Sequence, residues 1–112
     1  MSYGFGRIND MASQIYRNAK AKGFHEYEPV FGKDGRDTRH ILSWLMLVTT
    51  EVAEAAEAVR KGDKANFGEE LADIVIRVLD CAEATGINIE QEIVNKIEKN
   101  LAREYKHGGK LA

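Results

Sequence analysis

Between residues 38 and 84 apolar side chains recur every three or four positions in two long runs, interrupted only at Gly62-Asp63. That period belongs to helices, because a half-buried strand would alternate every second residue. Glycine ends the first run and aspartate can cap the second, and so short a connection makes the two helices antiparallel neighbours. The first run starts near Asp37 or Thr38, either of which can cap, and passes Trp44, Val48 and Val52 to about Arg60 or Lys61. Its first half is apolar on nearly all sides, which predicts a central position. The second run covers about 63–84 and stops at Thr85-Gly86.

Two further helices are predicted. One covers about 8–22, with Ile8, Met11, Ala12, Ile15 and Ala19 on one stripe and Gly23 as its stop. The other opens at Asn88, followed three residues on by Gln91 in capping-box spacing, carries Ile89, Ile93, Ile97 and Leu101 inward, and closes at Gly108-Gly109. Residues 24–37 hold the only proline, Pro29, with Gly32 and the turn-like Lys33-Asp34-Gly35, and read as a loop. With no alternating segment the chain is an all-α, four-helix bundle forming one domain over 1–112. A domain of 112 residues buries only a modest core by itself, so a homo-oligomer is expected.

Charged residues at 30% against 44% apolar place the chain among soluble helical proteins rather than disordered ones. Its longest apolar stretch, 41–48, is broken by Ser43 and is far shorter than the roughly 20 residues that span a bilayer. The start, MSYGFGRIND, has no signal-peptide pattern, and Cys81 is the single cysteine, so the expected compartment is the cytosol. Cys81 falls on an apolar arc and reads as packing. A net charge of −2 argues against a nucleic-acid polymer as partner. The sign is uneven, however, because residues 96–112 carry five Lys or Arg plus His107 against two Glu.

On the second predicted helix Glu51 and Glu54 stand three residues apart, which puts their β-carbons about 5–6 Å apart on one face, beside Leu47 and Trp44. Glu70 and Asp73 repeat the spacing on the third, on a narrow polar face left by Leu71, Ile74, Val75, Val78, Leu79 and Ala82. In an antiparallel hairpin the four carboxylates converge. Such a group repels itself and is stable mainly when cations neutralise it, and oxygen-only ligands select Mg²⁺ or Mn²⁺ over zinc. Each pair alone is also what a solvated helix face produces, and Asp73 to Arg77 has ion-pair spacing. Spacing by itself leaves both readings open.

The run TEVAEAAEAVRKGDKANFGEELADIVIRVLDCA resembles the core of the MazG-like all-α nucleoside triphosphate pyrophosphatase superfamily, whose signature is E-E-x-x-E followed by E-x-x-D. Glu51 and Glu54 match the second and third acids of the first half, and Glu70 and Asp73 match the second half. Thr50 replaces the first acid, which implies that it is not an essential ligand. The segment EIVNKIEKNLAREYKHGGK resembles the family's K-x-x-x-N-x-x-R ending and HGGK tail. Only residues 24–37 lack a clear counterpart.

The resemblance implies two or more divalent ions held by Glu51, Glu54, Glu70 and Asp73. Water attacks the α-phosphorus of a nucleoside triphosphate, a deoxynucleotide first, releasing the monophosphate and pyrophosphate. Lys96, Asn100 and Arg103 share a helix face at four- and three-residue spacing and offer a point charge, an amide and a planar donor fork to phosphate. Basic residues near a helix C-terminus also suit the helix dipole, and the resemblance favours the ligand role, extending it to Lys106 and His107. A base pocket between helices is implied too, with Trp44, Ile8 and Met11 as its candidates, although such residues at helical spacing also build cores. The resemblance further implies a homodimer, or a homotetramer, in which helices of two subunits complete each bundle. Two other classes compete. Glu104 and His107 form an E-x-x-H, but a di-iron bundle needs two such motifs. A helical nucleotide-binding or interaction module without catalysis would leave the acidic faces merely solvated.

Overall fold

The computed structural model describes residues 7–103, and among these it contains four helices and no strand: α1 (Ile8–Ala21), α2 (Gly35–Lys61), α3 (Lys64–Ala84) and α4 (Ile89–Leu101). The ends follow local chemistry. Asp34 accepts a hydrogen bond from the Asp37 amide at 3.0 Å, so α2 begins at Gly35 rather than at Asp37 or Thr38. At the other end Gly62 adopts the left-handed conformation, φ 68°, and its N–H returns to Ala58 and Val59. Asp63 then caps α3 by accepting from the Asn66 amide, and Asn88 caps α4 by accepting from that of Gln91.

α3 is the shared element. Both α1 and α2 pack along it, and they make no close approach to each other. The apolar seam is small: Ala12 on α1, Ile41, Ala55 and Ala58 on α2, and Leu79 and Ala82 on α3 are buried. Across the gap between α1 and α2 the link is aromatic. Tyr16 of α1 stacks on His25 at 4.6 Å between centroids, His25 meets the edge of Trp44 at 5.4 Å, and Trp44 meets His40 at 5.3 Å. The segment between α1 and α2 is therefore tied down. Its His25 is buried, and Tyr27 donates from its hydroxyl to buried Asp37 at 2.6 Å.

Two expectations from periodicity need correcting. The first half of α2 is not central, since Leu42, Leu45 and Met46 are about half exposed or more. Nor does α4 turn its whole stripe inward: Ile97 and Leu101 lie open, and no residue of α4 is buried. α4 meets α1 and α3 only lightly and α2 not at all. It is held at its start, where Asn9 exchanges hydrogen bonds with Glu90 and donates to Asn88 at 2.7 Å. The apolar stripes are real, but among the described residues nothing covers them. The radius of gyration, 16.4 Å, exceeds the roughly 13 Å of a compact domain of this length.

Candidate functional site

Where α2 and α3 run side by side, Glu51, Glu70 and Asp73 each bring a carboxylate oxygen within 4.8 Å of the others. The hairpin at Gly62 sets this register, and the packing of Ala55 and Ala58 below it keeps the two backbones close. Glu70 is the most constrained of the three. Its Oε1 is out of reach of solvent and has no hydrogen-bond partner among the described residues. Loss of hydration pushes its carboxyl above the usual carboxylate range, and the negative charges of Glu54, Asp73 and Glu51 add to the rise. Glu54 stands outside the closest trio but near enough to act on Glu70.

Arg77 partly offsets this charge. Its Nε donates to Glu51 Oε2 at 2.7 Å, crossing from α3 to α2 rather than pairing with Asp73 one turn back. The Glu51 side chain is only 12% exposed, so this ion pair is more sheltered than a surface one. Among the described residues no lysine or arginine pairs with Glu70 or Asp73. An all-oxygen donor set, excess negative charge and a buried oxygen without a partner together fit a hard divalent cation.

The gap between α1 and α2 opens beside these carboxylates as a cleft of about 620 Å³ floored by α3. Glu51 and Asp73 lie at one end. Ile15, Ala19, Trp44, Leu47 and Ile76 supply apolar wall, and Asn18, Lys22, His25, Arg77 and Asp80 supply polar groups. His25 Nε2 lies 2.9 Å from each oxygen of Asp80. A cleft of this size, apolar with a few convergent polar groups, suits a small ligand.

Trp44 is thus on the cleft wall, whereas Ile8 and Met11 are not among its lining residues. Lys96, Asn100 and Arg103 are exposed on α4 or just beyond it, with no ion pair or hydrogen bond to the acidic group. Lys106 and His107 lie outside the described residues. Spacing alone passed over Asn18, Lys22, His25 and Asp80, because they come from three separate elements. One signal was present: Asp73, Arg77 and Asp80 follow i, i+4, i+7 spacing and so share a face of α3.

The raised Glu70 carboxyl has a consequence with a definite sign. The native state holds this proton more tightly than the unfolded chain does, so the residue's contribution to stability falls as pH rises from about 4.5 through the raised native value. Above that value the penalty is fully present. Glu70→Gln should make the metal-free protein more stable at neutral pH and flatten its stability profile on the acid side. Urea unfolding from pH 4.5 to 7 measures this. Identical profiles for the two proteins would contradict the crowding described here.

Comparison with characterised proteins and with solved structures returned no match. The model of the MazG nucleotide pyrophosphohydrolase domain family matches residues 39–107, most of the chain, from the start of α2's apolar half through α4. That span includes Glu51, Glu54, Glu70 and Asp73 and the basic face of α4. The chain belongs to the MazG nucleotide pyrophosphohydrolase domain family.

Proposed function

We propose that this protein hydrolyses nucleoside triphosphates, deoxynucleotides first, to the monophosphate and pyrophosphate, and so controls nucleotide pools. The observation that carries this reading is the buried, unpartnered Glu70 oxygen among the carboxylates at the end of the cleft. Glu51, Glu54, Glu70 and Asp73 hold the divalent ions, two or more, with Mg²⁺ first and Mn²⁺ second. Such ions offset the charge of the triphosphate and acidify an attacking water. One of the glutamates would take a proton from the attacking water. The apolar wall around Trp44 receives the nucleoside and holds it against α3, which fixes the α-phosphate near the acids.

Lys96, Asn100 and Arg103 bind phosphate oxygens in this reading, and they do so from a second subunit. Support comes from α4 itself, whose apolar Val94, Ile97 and Leu101 are exposed and whose basic face is unconnected to its own chain's acids. The half-exposed Leu42, Leu45, Met46, Val52 and Val75 extend the same uncovered surface over α2 and α3. A homodimer, paired again in a tetramer, covers both.

Two experiments test these statements. With Mg²⁺ and a panel of nucleotides, the released product should be pyrophosphate rather than phosphate. Asp73→Asn should lower kcat/KM by more than the roughly 100-fold attached to a metal ligand's supporting partner, with the helical circular dichroism retained. Turnover retained in that folded variant would remove Asp73 from the site, and nucleotide binding without any turnover would leave a binding module. For the shared site, Asp73→Asn and Arg103→Ala are each made alone and then co-expressed. If acids and clamp come from different subunits, random pairing restores about a quarter of wild-type activity. No restoration would place both in one chain.

A further inference from the structure

Beyond the acids, the cleft contains one polar arrangement that phosphate chemistry does not use. At the far end of the α3 floor Asp80 stands seven residues after Asp73, about 10 Å along the same helix face. That separation is comparable to the reach from an α-phosphate to the outer edge of its nucleobase. We propose that Asp80, held in place by His25, reads the nucleobase and selects bases that present an exocyclic amino group. The proposal rests on the nucleotide reading given above.

Four observations carry it. First, an ionised carboxylate only accepts hydrogen bonds, so His25 Nε2, 2.9 Å from both Asp80 oxygens, must carry the proton. Second, this is the only hydrogen bond that reaches Asp80 among the described residues, and no lysine or arginine pairs with it there. Among the described residues nothing else occupies its remaining lone pairs. Third, the Asp80 side chain is 24% exposed and lines the cleft, whereas that of His25 is 2% exposed and wedged between Tyr16 and Trp44. The acceptor is therefore fixed before a ligand arrives. Fourth, Trp44 and Ile76 on the same cleft give a flat ring apolar surface to lie against.

The chemistry then discriminates. Cytosine and adenine offer an amino donor at the outer edge, and guanine offers an N–H beside an amino group. Uracil and thymine keep one ring N–H donor on that edge but flank it with carbonyl oxygens, one of them where cytosine has its amine, and an acceptor facing a carboxylate repels it. His25 is a positioning residue in this scheme, since it touches Asp80 and not the base.

The test compares dCTP with dUTP, which differ in that amine and carbonyl and in the ring nitrogen beside them, an acceptor in cytosine and an N–H donor in uracil. Wild-type kcat/KM should favour dCTP by about tenfold or more, the size of one charge-assisted hydrogen bond. Asp80→Asn keeps the shape and still accepts from His25, and it should shrink the ratio to near unity. His25→Ala should shrink it as well, and His25→Gln, which keeps a donor toward Asp80, should recover it. A wild-type preference for dUTP, or a ratio unchanged in Asp80→Asn, overturns the assignment. The same ratio is read in binding with the α,β-methylene analogues of both nucleotides. Selective binding without turnover would sink hydrolysis and support base selection, equal binding of both would sink selection alone, and no binding of either would sink both.

Discussion

Electrostatic crowding between α2 and α3 is the constraint around which the rest of the molecule is arranged. Three carboxylates that bring oxygens within 4.8 Å of one another, with Glu70 among them holding one buried oxygen without a partner among the described residues, raise the energy of the folded chain. They are held together by something stronger than their repulsion, namely the apolar seam of Ile41, Ala55, Ala58, Leu79 and Ala82 and a hairpin closed by left-handed Gly62. Small alanines at the seam let the helices approach closely, and close approach is what concentrates the charge. Arg77 relieves Glu51, but Glu70 keeps its strained proton balance. A divalent cation relieves the whole group at once.

α3 gives that charge its context. With α1 and α2 both seated on it and apart from each other, the cleft is a direct product of the packing, not a defect in it. One helix face carries the acids, then Arg77, then Asp80, so the cleft grades from a cation-seeking end to a hydrogen-bonding end over two turns. The string of Tyr16, His25, Trp44 and His40 braces the walls that backbone contact does not hold together. Binding energy and specificity can therefore reside on the same rigid element.

How legible this was in the sequence depends on range. The helices and their ends were legible because they rest on local chemistry: Asp63 and Asn88 cap as their spacing predicts, and Gly62 terminates as a glycine in that position should. Asp34 sits inside a turn-like Lys33-Asp34-Gly35, so cap chemistry alone points to a later start for α2 than the observed Gly35. Periodicity correctly marked apolar stripes on α2 and α4 but says nothing about which molecule covers them, so the central position of α2 and the inward turn of α4 did not follow. The two acid pairs were visible as spacing. The pairing of Arg77 with Glu51 rather than Asp73, and the meeting of His25 with Asp80, depend on how elements far apart in sequence pack, which spacing cannot reveal.

The central claim is that the carboxylates of α2 and α3 form a divalent-cation site, and the most direct measurement is a Mn²⁺ titration followed by electron paramagnetic resonance, without nucleotide. The account predicts that free Mn²⁺ signal is lost on adding wild-type protein, is recovered by competing Mg²⁺, and is lost much less with Glu70→Gln. Binding that is absent in the wild type, or unaltered in Glu70→Gln, would contradict it.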